Sequence, residues 1–243
     1  LVLKEDPQWA ILEPVPVAAR KRPQVFPDSV EEKKKTGLVK IIDLHVGPGL
    51  KGVPRGTVKQ MRVLSYAFSY RGMGGQVDRV GIDGPWDVRR VLGTVPVEAD
   101  GSAFLEVPAN TPVALQPLDA DGRAVQTMRS WFTVMPGEMQ SCAGCHEVQN
   151  SSTGSETARL ALQKPPAAIK PWYGPARGFA FNREVQPVLD TFCVGCHDGT
   201  QARPDLRRAP DVHAGMLFKG YDEAGHFPPS YLALKKQVRG YTM

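Results

Sequence analysis

Val95-Pro96-Val97-Glu98-Ala99-Asp100-Gly101-Ser102-Ala103-Phe104-Leu105-Glu106-Val107 sets two short β-rich runs on either side of an Asp-Gly turn. Glycine takes up the positive φ of such a turn without strain, so the stretch predicts a β-hairpin. The pattern recurs downstream, where Val113-Ala114-Leu115-Gln116-Pro117-Leu118 and Ala124-Val125-Gln126-Thr127-Met128 flank Asp119-Ala120-Asp121-Gly122. Upstream, Val39-Lys40-Ile41-Ile42 and Val58-Lys59-Gln60-Met61-Arg62-Val63 are further β-rich runs bounded by glycine and proline. Short strands at this spacing predict an antiparallel β-sandwich of roughly 100 residues beginning at Gly37. Composition agrees. Among 243 residues there are 24 glycines and 22 prolines, which favours strands and turns over a helical bundle. Hydrophobic residues are 42% and charged residues 23%, an ordinary globular balance. The net charge of +5 comes from scattered residues and implies no nucleic-acid footprint. No run of apolar residues is long enough to predict a transmembrane segment.

The four cysteines carry the sharpest chemical signal. All lie in two copies of one pattern, Cys142-Ala143-Gly144-Cys145-His146 and Cys193-Val194-Gly195-Cys196-His197. Two thiols at this spacing add to the two vinyl groups of one haem, and the following histidine supplies its imidazole to the iron. The reading predicts two covalently bound haem c groups, with His146 and His197 as proximal ligands. Three rivals exist. A redox dithiol would sit at a helix N-terminus and would not be duplicated with a histidine each time. A four-cysteine zinc ribbon uses pairs roughly 15–20 residues apart, against the 47 residues between Cys145 and Cys193. Two disulfides would leave the histidines unexplained. Haem attachment of this kind is completed outside the bacterial cytoplasm, so the expected location is periplasmic or extracellular.

Around the sandwich the chain changes character. Residues 1–36 carry Pro7, Pro14, Pro16, Pro23 and Pro27 with the charged run Glu31-Glu32-Lys33-Lys34-Lys35, and read as an extended arm. The β domain spans 37–163 and holds the first haem motif. Residues 164–178, rich in proline and glycine, read as a linker. Residues 179–243 read as a small helical, cytochrome c-like module holding the second haem. In it Val185, Val188, Leu189 and Phe192 repeat at helical spacing, Asn182 is a candidate N-cap, and Tyr231–Lys235 a candidate second helix after Pro228-Pro229. The fold class is therefore mostly β with a smaller α module. The chain starts at Leu1 without a signal peptide and is expected to be a processed or excised piece.

Longer blocks resemble one family. They are Gly49–Lys59, Tyr70–Gly75, Gly84–Val88, Leu92–Glu98, Trp131–Glu138, Ser141–Glu147, Pro171–Pro175 and Glu184–Asp190. Over residues 37–235 the chain is similar to the middle and C-terminal parts of hydrazine synthase alpha-subunit-like proteins. Members usually add an N-terminal β-propeller and a longer cytochrome region, so the resemblance implies a piece of a larger protein or one subunit of an assembly. It also implies haem chemistry on small nitrogen compounds, with the first haem ligated by a tyrosine soon after the motif. Here Glu147-Val148-Gln149-Asn150-Ser151-Ser152 follows His146, and the next tyrosine is Tyr173.

The expected function is that of a dihaem c-type cytochrome passing electrons in an exported multi-haem system, an electron carrier rather than an enzyme. Its partners would be redox proteins or other cytochrome subunits, with no nucleic acid. Two alternatives remain: an oxidoreductase subunit acting on a small nitrogen compound at the first haem, and a structural cytochrome subunit of an assembly or filament. Candidate sixth ligands are His45 for the first haem, and His213, Met216 and His226 for the second, with the seven methionines of the chain as further potential ligands. His45 is distant in sequence from its motif, so the first haem is the expected open site. Trp131, Trp172 and Tyr173 are candidates for packing at a haem edge.

Overall fold

A computed structural model describes residues 2, 4–12, 17–25, 28, 30–66, 89–128, 130–147, 150, 158–200, 203–214, 217–218, 221–222 and 225–237. The blocks at 70–75 and 84–88, Met216 and Met243 lie outside the described residues. The strands of the β region are β1 (Thr36–Ile41), β2 (Gln60–Tyr66), β3 (Arg89–Pro96), β4 (Ala103–Pro108), β5 (Val113–Leu118), β6 (Met139–Cys142) and the short β7 (Arg177–Gly178). They form two sheets, ordered β4-β1-β6 and β5-β2-β3-β7. Strand alternation explains the layering. Gly37, Val39 and Ile41 of β1 and Ala103, Leu105 and Val107 of β4 point inward, while the residues between them lie closer to the surface. Across the core they meet Met61, Val63, Val95, Val113 and Leu115 of the second sheet. Burying each such side chain contributes about 1.5–3 kcal/mol, so a clean inward face is enough to hold two sheets together.

Two details differ from the sequence reading. Glu98 and Ser102 do close a tight turn, with Glu98 N–H donating to Ser102 O at 2.9 Å. The flanking strands nevertheless do not pair. β3 runs antiparallel to β2, with Met61 opposite Val95, and β4 runs antiparallel to β1, with Val39 opposite Leu105. The turn is a crossover between the sheets, because alternation specifies which face a strand buries and not which neighbour it bonds. The second Asp-Gly turn does fold back, and Ala124 bridges Leu118 in antiparallel sense. The other difference is β6, which lies parallel to β1 while the other strand pairs of the two sheets are antiparallel, and sets Cys142 beside Ile41.

Residues 164–178, read as a linker, are tied to both sheets. Ala167 N–H donates to Phe104 O at 2.8 Å, and Lys170 exchanges 2.9 Å backbone bonds with Thr94 in both directions. Proline-rich composition removes donors and discourages helix, yet an extended segment still lays down the bonds that remain. The described residues before Val30 are exposed and carry neither strand nor helix.

Beyond this, residues Phe181–Val185 wind as one π-helical turn into α1 (Gln186–Phe192). Asn182 lies inside that turn and caps nothing; Ala180 stands at the N-cap, and Pro187 falls in the first turn of α1, where its missing N–H costs little. Then come β8 (Val212–Ala214), β9 (Leu217–Phe218), β10 (Tyr221–Asp222), β11 (Gly225–Phe227) and α2 (Pro229–Lys235). β8 pairs with β11 and β9 with β10, both antiparallel. The two helices are joined by a buried polar contact. The Ser230 hydroxyl donates to Gln186 Oε1 at 2.6 Å, and Gln186 Nε2 donates to Asp190 and to Leu206 O. Phe181 and Phe227 both pack against Tyr231 of α2, with ring centroids 5.3 and 5.6 Å away. Of the expected apolar helical stripe, Leu189 is buried, but Val188 is 51% and Phe192 81% exposed.

Candidate functional site

The first motif is held by a loop on the neighbouring strand. β6 delivers Cys142, and the chain after β1 continues alongside the motif. Ile42 N–H donates to Cys142 O at 3.0 Å, Asp43 N–H to Ala143 O at 3.1 Å, and Gly49 N–H to Cys145 O at 3.1 Å. The approach is close enough to demand glycine on both sides. A Cβ at Gly144 would stand 2.1 Å from Val46 O, and one at Gly49 would stand 2.6 Å from Cys145 O. From within the motif's own segment, the Glu147 carboxylate accepts the backbone N–H groups of Ala143 and Gly144.

The loop is pinned from behind by a buried carboxylate. Asp43 is 4% exposed; its side chain accepts the His45 N–H at 3.0 Å and pairs with Arg55 at 2.7 Å. Burial pushes the Asp43 carboxyl up, but the Arg55 hydrogen bond, the His45 amide and the charges of Arg55 and Arg159 outweigh it and hold the group below its ordinary value.

The motif opens onto an apolar cavity of about 410 Å³. Ile41, Leu44, Met61, Leu115 and Phe132 line its sandwich side; Cys142, Gly144, Cys145 and His146 form the motif side; Gln126, Thr127 and Met128 supply a further wall. Gln126 Nε2 donates to Gly49 O at 3.1 Å, which ties that wall to the loop around the motif. Burial, with the nearby Glu147 and Cys145, pushes the Cys142 thiol up to about 11, and burial also raises Cys145. These are protonated thiols in an apolar wall, the opposite of the electropositive setting that activates a redox cysteine. His146 borders the cavity from an exposed position with φ 57°, a left-handed conformation that turns the chain sharply after Cys145.

The second motif follows α1 directly. Cys193 N–H donates to Leu189 O at 2.9 Å, and His197 N–H to Cys193 O at 3.0 Å, so the motif continues the helix as a turn. The His197 ring has one nitrogen engaged, with Nδ1 3.1 Å from Pro204 O. A carbonyl only accepts, so Nδ1 is the donor in this contact and Nε2 is the nitrogen left to face a ligand. That is the orientation a metal-ligating imidazole needs. Cys196 is exposed, and Val188 and Phe192 add exposed apolar surface on the helix leading into the motif.

Among the described residues, which include all four cysteines, no three His, Cys, Asp or Glu side chains converge as a metal-binding group. No disulfide joins the cysteines. Both sites fit a haem by their donor sets: paired free thiols at the right spacing, an adjacent imidazole and, at the first, an apolar cavity.

The remaining candidates fall out differently. His45 does not line the cavity; its ring lies beside Gly101 on the loop behind the motif. His213 and His226 are brought together as directly paired residues of β8 and β11, with ring centroids 5.3 Å apart. Tyr173 is 82% exposed and packs edge-on against Trp172, whose other neighbours are Phe179 and the Arg62 guanidinium. Trp131 pairs with Tyr66 at 6.3 Å. Of the seven methionines counted as potential ligands, Met61 and Met128 are in the cavity wall. Sequence does not separate them from the other five, because a methionine in a β-rich run reads as ordinary packing.

With this geometry in view, comparison with known proteins converges on one name. Residues 56–147 match the family model described as the hydrazine synthase alpha subunit middle domain, a stretch that ends just past the first motif. The hydrazine synthase subunit alpha of Kuenenia stuttgartiensis is 22% identical over 209 aligned residues, covering 63% of this chain and 24% of the relative. A solved structure of hydrazine synthase from the same organism superposes with a TM-score of 0.59 at 19% identity, over 83% of this chain and 34% of that one. Over these stretches the chain is similar to hydrazine synthase alpha proteins. The sandwich fold is shared with hydrazine synthase, and this chain spans about a quarter of the curated relative's length. No helix among the described residues is long and apolar enough to cross a membrane.

Proposed function

We propose that the chain is a dihaem c-type cytochrome unit that transfers electrons in an exported multi-haem assembly. Cys142 and Cys145 would hold the first haem by thioethers with His146 as proximal ligand, and Cys193, Cys196 and His197 the second. The observation that carries the reading is the first motif opening onto the 410 Å³ apolar cavity with two protonated thiols in its wall. Bound haem would supply one-electron chemistry; the polypeptide's part is to attach, orient and shield it. At the second site His197 is already oriented by Pro204, and exposed Phe192 and Val188 are apolar surface that a porphyrin would cover. The paired His213 and His226 are the candidates for that haem's sixth ligand, with Met216. Periplasmic or extracellular location follows from where such haems are attached, and the partners would be redox proteins or further cytochrome subunits.

A second reading is favoured by the family resemblance: an oxidoreductase subunit acting on a small nitrogen compound in the first cavity. That cavity borders the motif histidine, and its apolar lining suits a small uncharged ligand. Production with a periplasmic haem-attachment system tests the main reading. The intact mass after denaturation should carry two haems. One haem, none, or bound zinc would overturn it. Carbon monoxide or nitric oxide binding at the first haem, with turnover of a nitrogen substrate, would favour the second reading.

A further inference from the structure

We propose that Met128 supplies a thioether sulfur as the sixth ligand of the haem attached at Cys142 and Cys145. The inference rests on the haem reading above and specifies the ligand set of that same site. Apart from the motif's own cysteines and histidine, the side chains in the cavity wall that bind haem iron well are two thioethers, Met61 and Met128. His45, the ligand expected from sequence, is not in that wall.

The two methionines are not equivalent. Met61 sits inside β2, bonded on one side to β3 and on the other to β5, and its side chain is fully buried in the main core. Drawing it toward an iron would open that core. Met128 lies past the second Asp-Gly turn on a segment outside the regular strands, anchored by its N–H to Leu115 O at 3.2 Å. It is half-buried against Leu64, Tyr66 and Ala114 at the edge of a smaller cluster. An unbranched side chain on such a segment re-aims at little cost. The segment is also fixed relative to the motif, since Gln126 reaches Gly49 and Gln116 reaches Thr127 at 2.7 Å. A histidine–methionine pair makes the first haem six-coordinate and raises its potential, which suits electron transfer and closes the face that a gas would bind.

The holoprotein with methyl-labelled methionine tests this. In the reduced state, a methionine ligated to low-spin iron has its methyl resonance shifted far upfield by the porphyrin ring. One such resonance should vanish in Met128→Leu and persist in Met61→Leu, while one of the two haems turns high-spin and gains carbon monoxide binding. Leucine conserves volume, so the fold tolerates it. Absence of any ligated methionine in the unsubstituted protein, or survival of every such resonance in Met128→Leu, overturns the proposal and needs no stable variant in the first case. Denatured mass keeps the two readings apart. If no haem stays on the peptide containing Cys142 and Cys145, the haem reading itself fails; if haem is present and methionine is not a ligand, only this inference fails.

Discussion

The two Cys-x-x-Cys-His motifs differ in one residue among five, Ala143 against Val194, yet the chain puts them in opposite surroundings. The first is a strand end clasped by a neighbouring loop, with no room at its glycine. The second is a helical turn whose glycine, Gly195, has nothing within 4 Å of where a Cβ would stand. His146 turns through a positive φ, whereas His197 follows α1 and is oriented by the Pro204 carbonyl. The motif therefore specifies a ligand chemistry, and the tertiary setting specifies how much of the bound group would be shielded. A haem in the first site would be walled by the sandwich; one in the second would lie on exposed Val188 and Phe192.

The largest test of this contrast removes each pair of thiols. Cys142→Ser/Cys145→Ser and Cys193→Ser/Cys196→Ser should each lose one covalent haem by intact mass and keep the other. Loss of both haems from either double variant would make the sites interdependent and break the comparison.

Next come the paired glycines. Gly144→Ala forces a methyl to 2.1 Å from Val46 O, a backbone atom that cannot swing aside. The cost should reach at least the ~1–3 kcal/mol of an overpacked core. Gly195→Ala meets open space and should be neutral or stabilising by up to ~1 kcal/mol through the unfolded state. Thermal melts of the two variants measure the difference directly, and equal melting temperatures would contradict it.

A comparable effect of about 1–3 kcal/mol is expected for Asp43→Asn, which leaves Arg55 and the loop amide less well satisfied. Its pH dependence has a definite sign. The Asp43 carboxyl is held below its ordinary value of 3.8, so the stabilisation is present above that value and fades as the pH falls below it through the folded value. Acid melts of the two proteins should converge in that range. A gap that stays constant with pH would show that the carboxylate's charge is not the stabilising element.

The smallest change belongs to the second module. Ser230→Ala leaves Gln186 Oε1 buried without its 2.6 Å donor and should cost about 1 kcal/mol, seen as a lower melting temperature. The first motif's cavity should be untouched, so the spectrum of a haem attached at Cys142 and Cys145 should stay the same.

Sequence alone fixed those features that depend on neighbours along the chain. Alternation in Thr36–Ile41 and Ala103–Pro108 gave strands with an inward face, and Pro228-Pro229 marked where α2 begins. Cysteine and histidine spacing is what suggests haem attachment, because bonding to one porphyrin edge would be a local constraint. Partner choice was not legible. The Asp100-Gly101 turn joins strands of different sheets, β6 pairs parallel to β1, and residues 167–170 bond to both sheets, all decided by contacts between distant segments. The same reason hid the cavity wall. Met128 and His146 border one cavity, and Asp43 braces the loop beside Cys145, only because the sandwich closes. His45, distant from the motif in sequence, lies in the loop that clasps it, with its ring beside Gly101 and not in the cavity wall. Spacing names the atoms that can bind a group; packing of remote strands decides which of them face it.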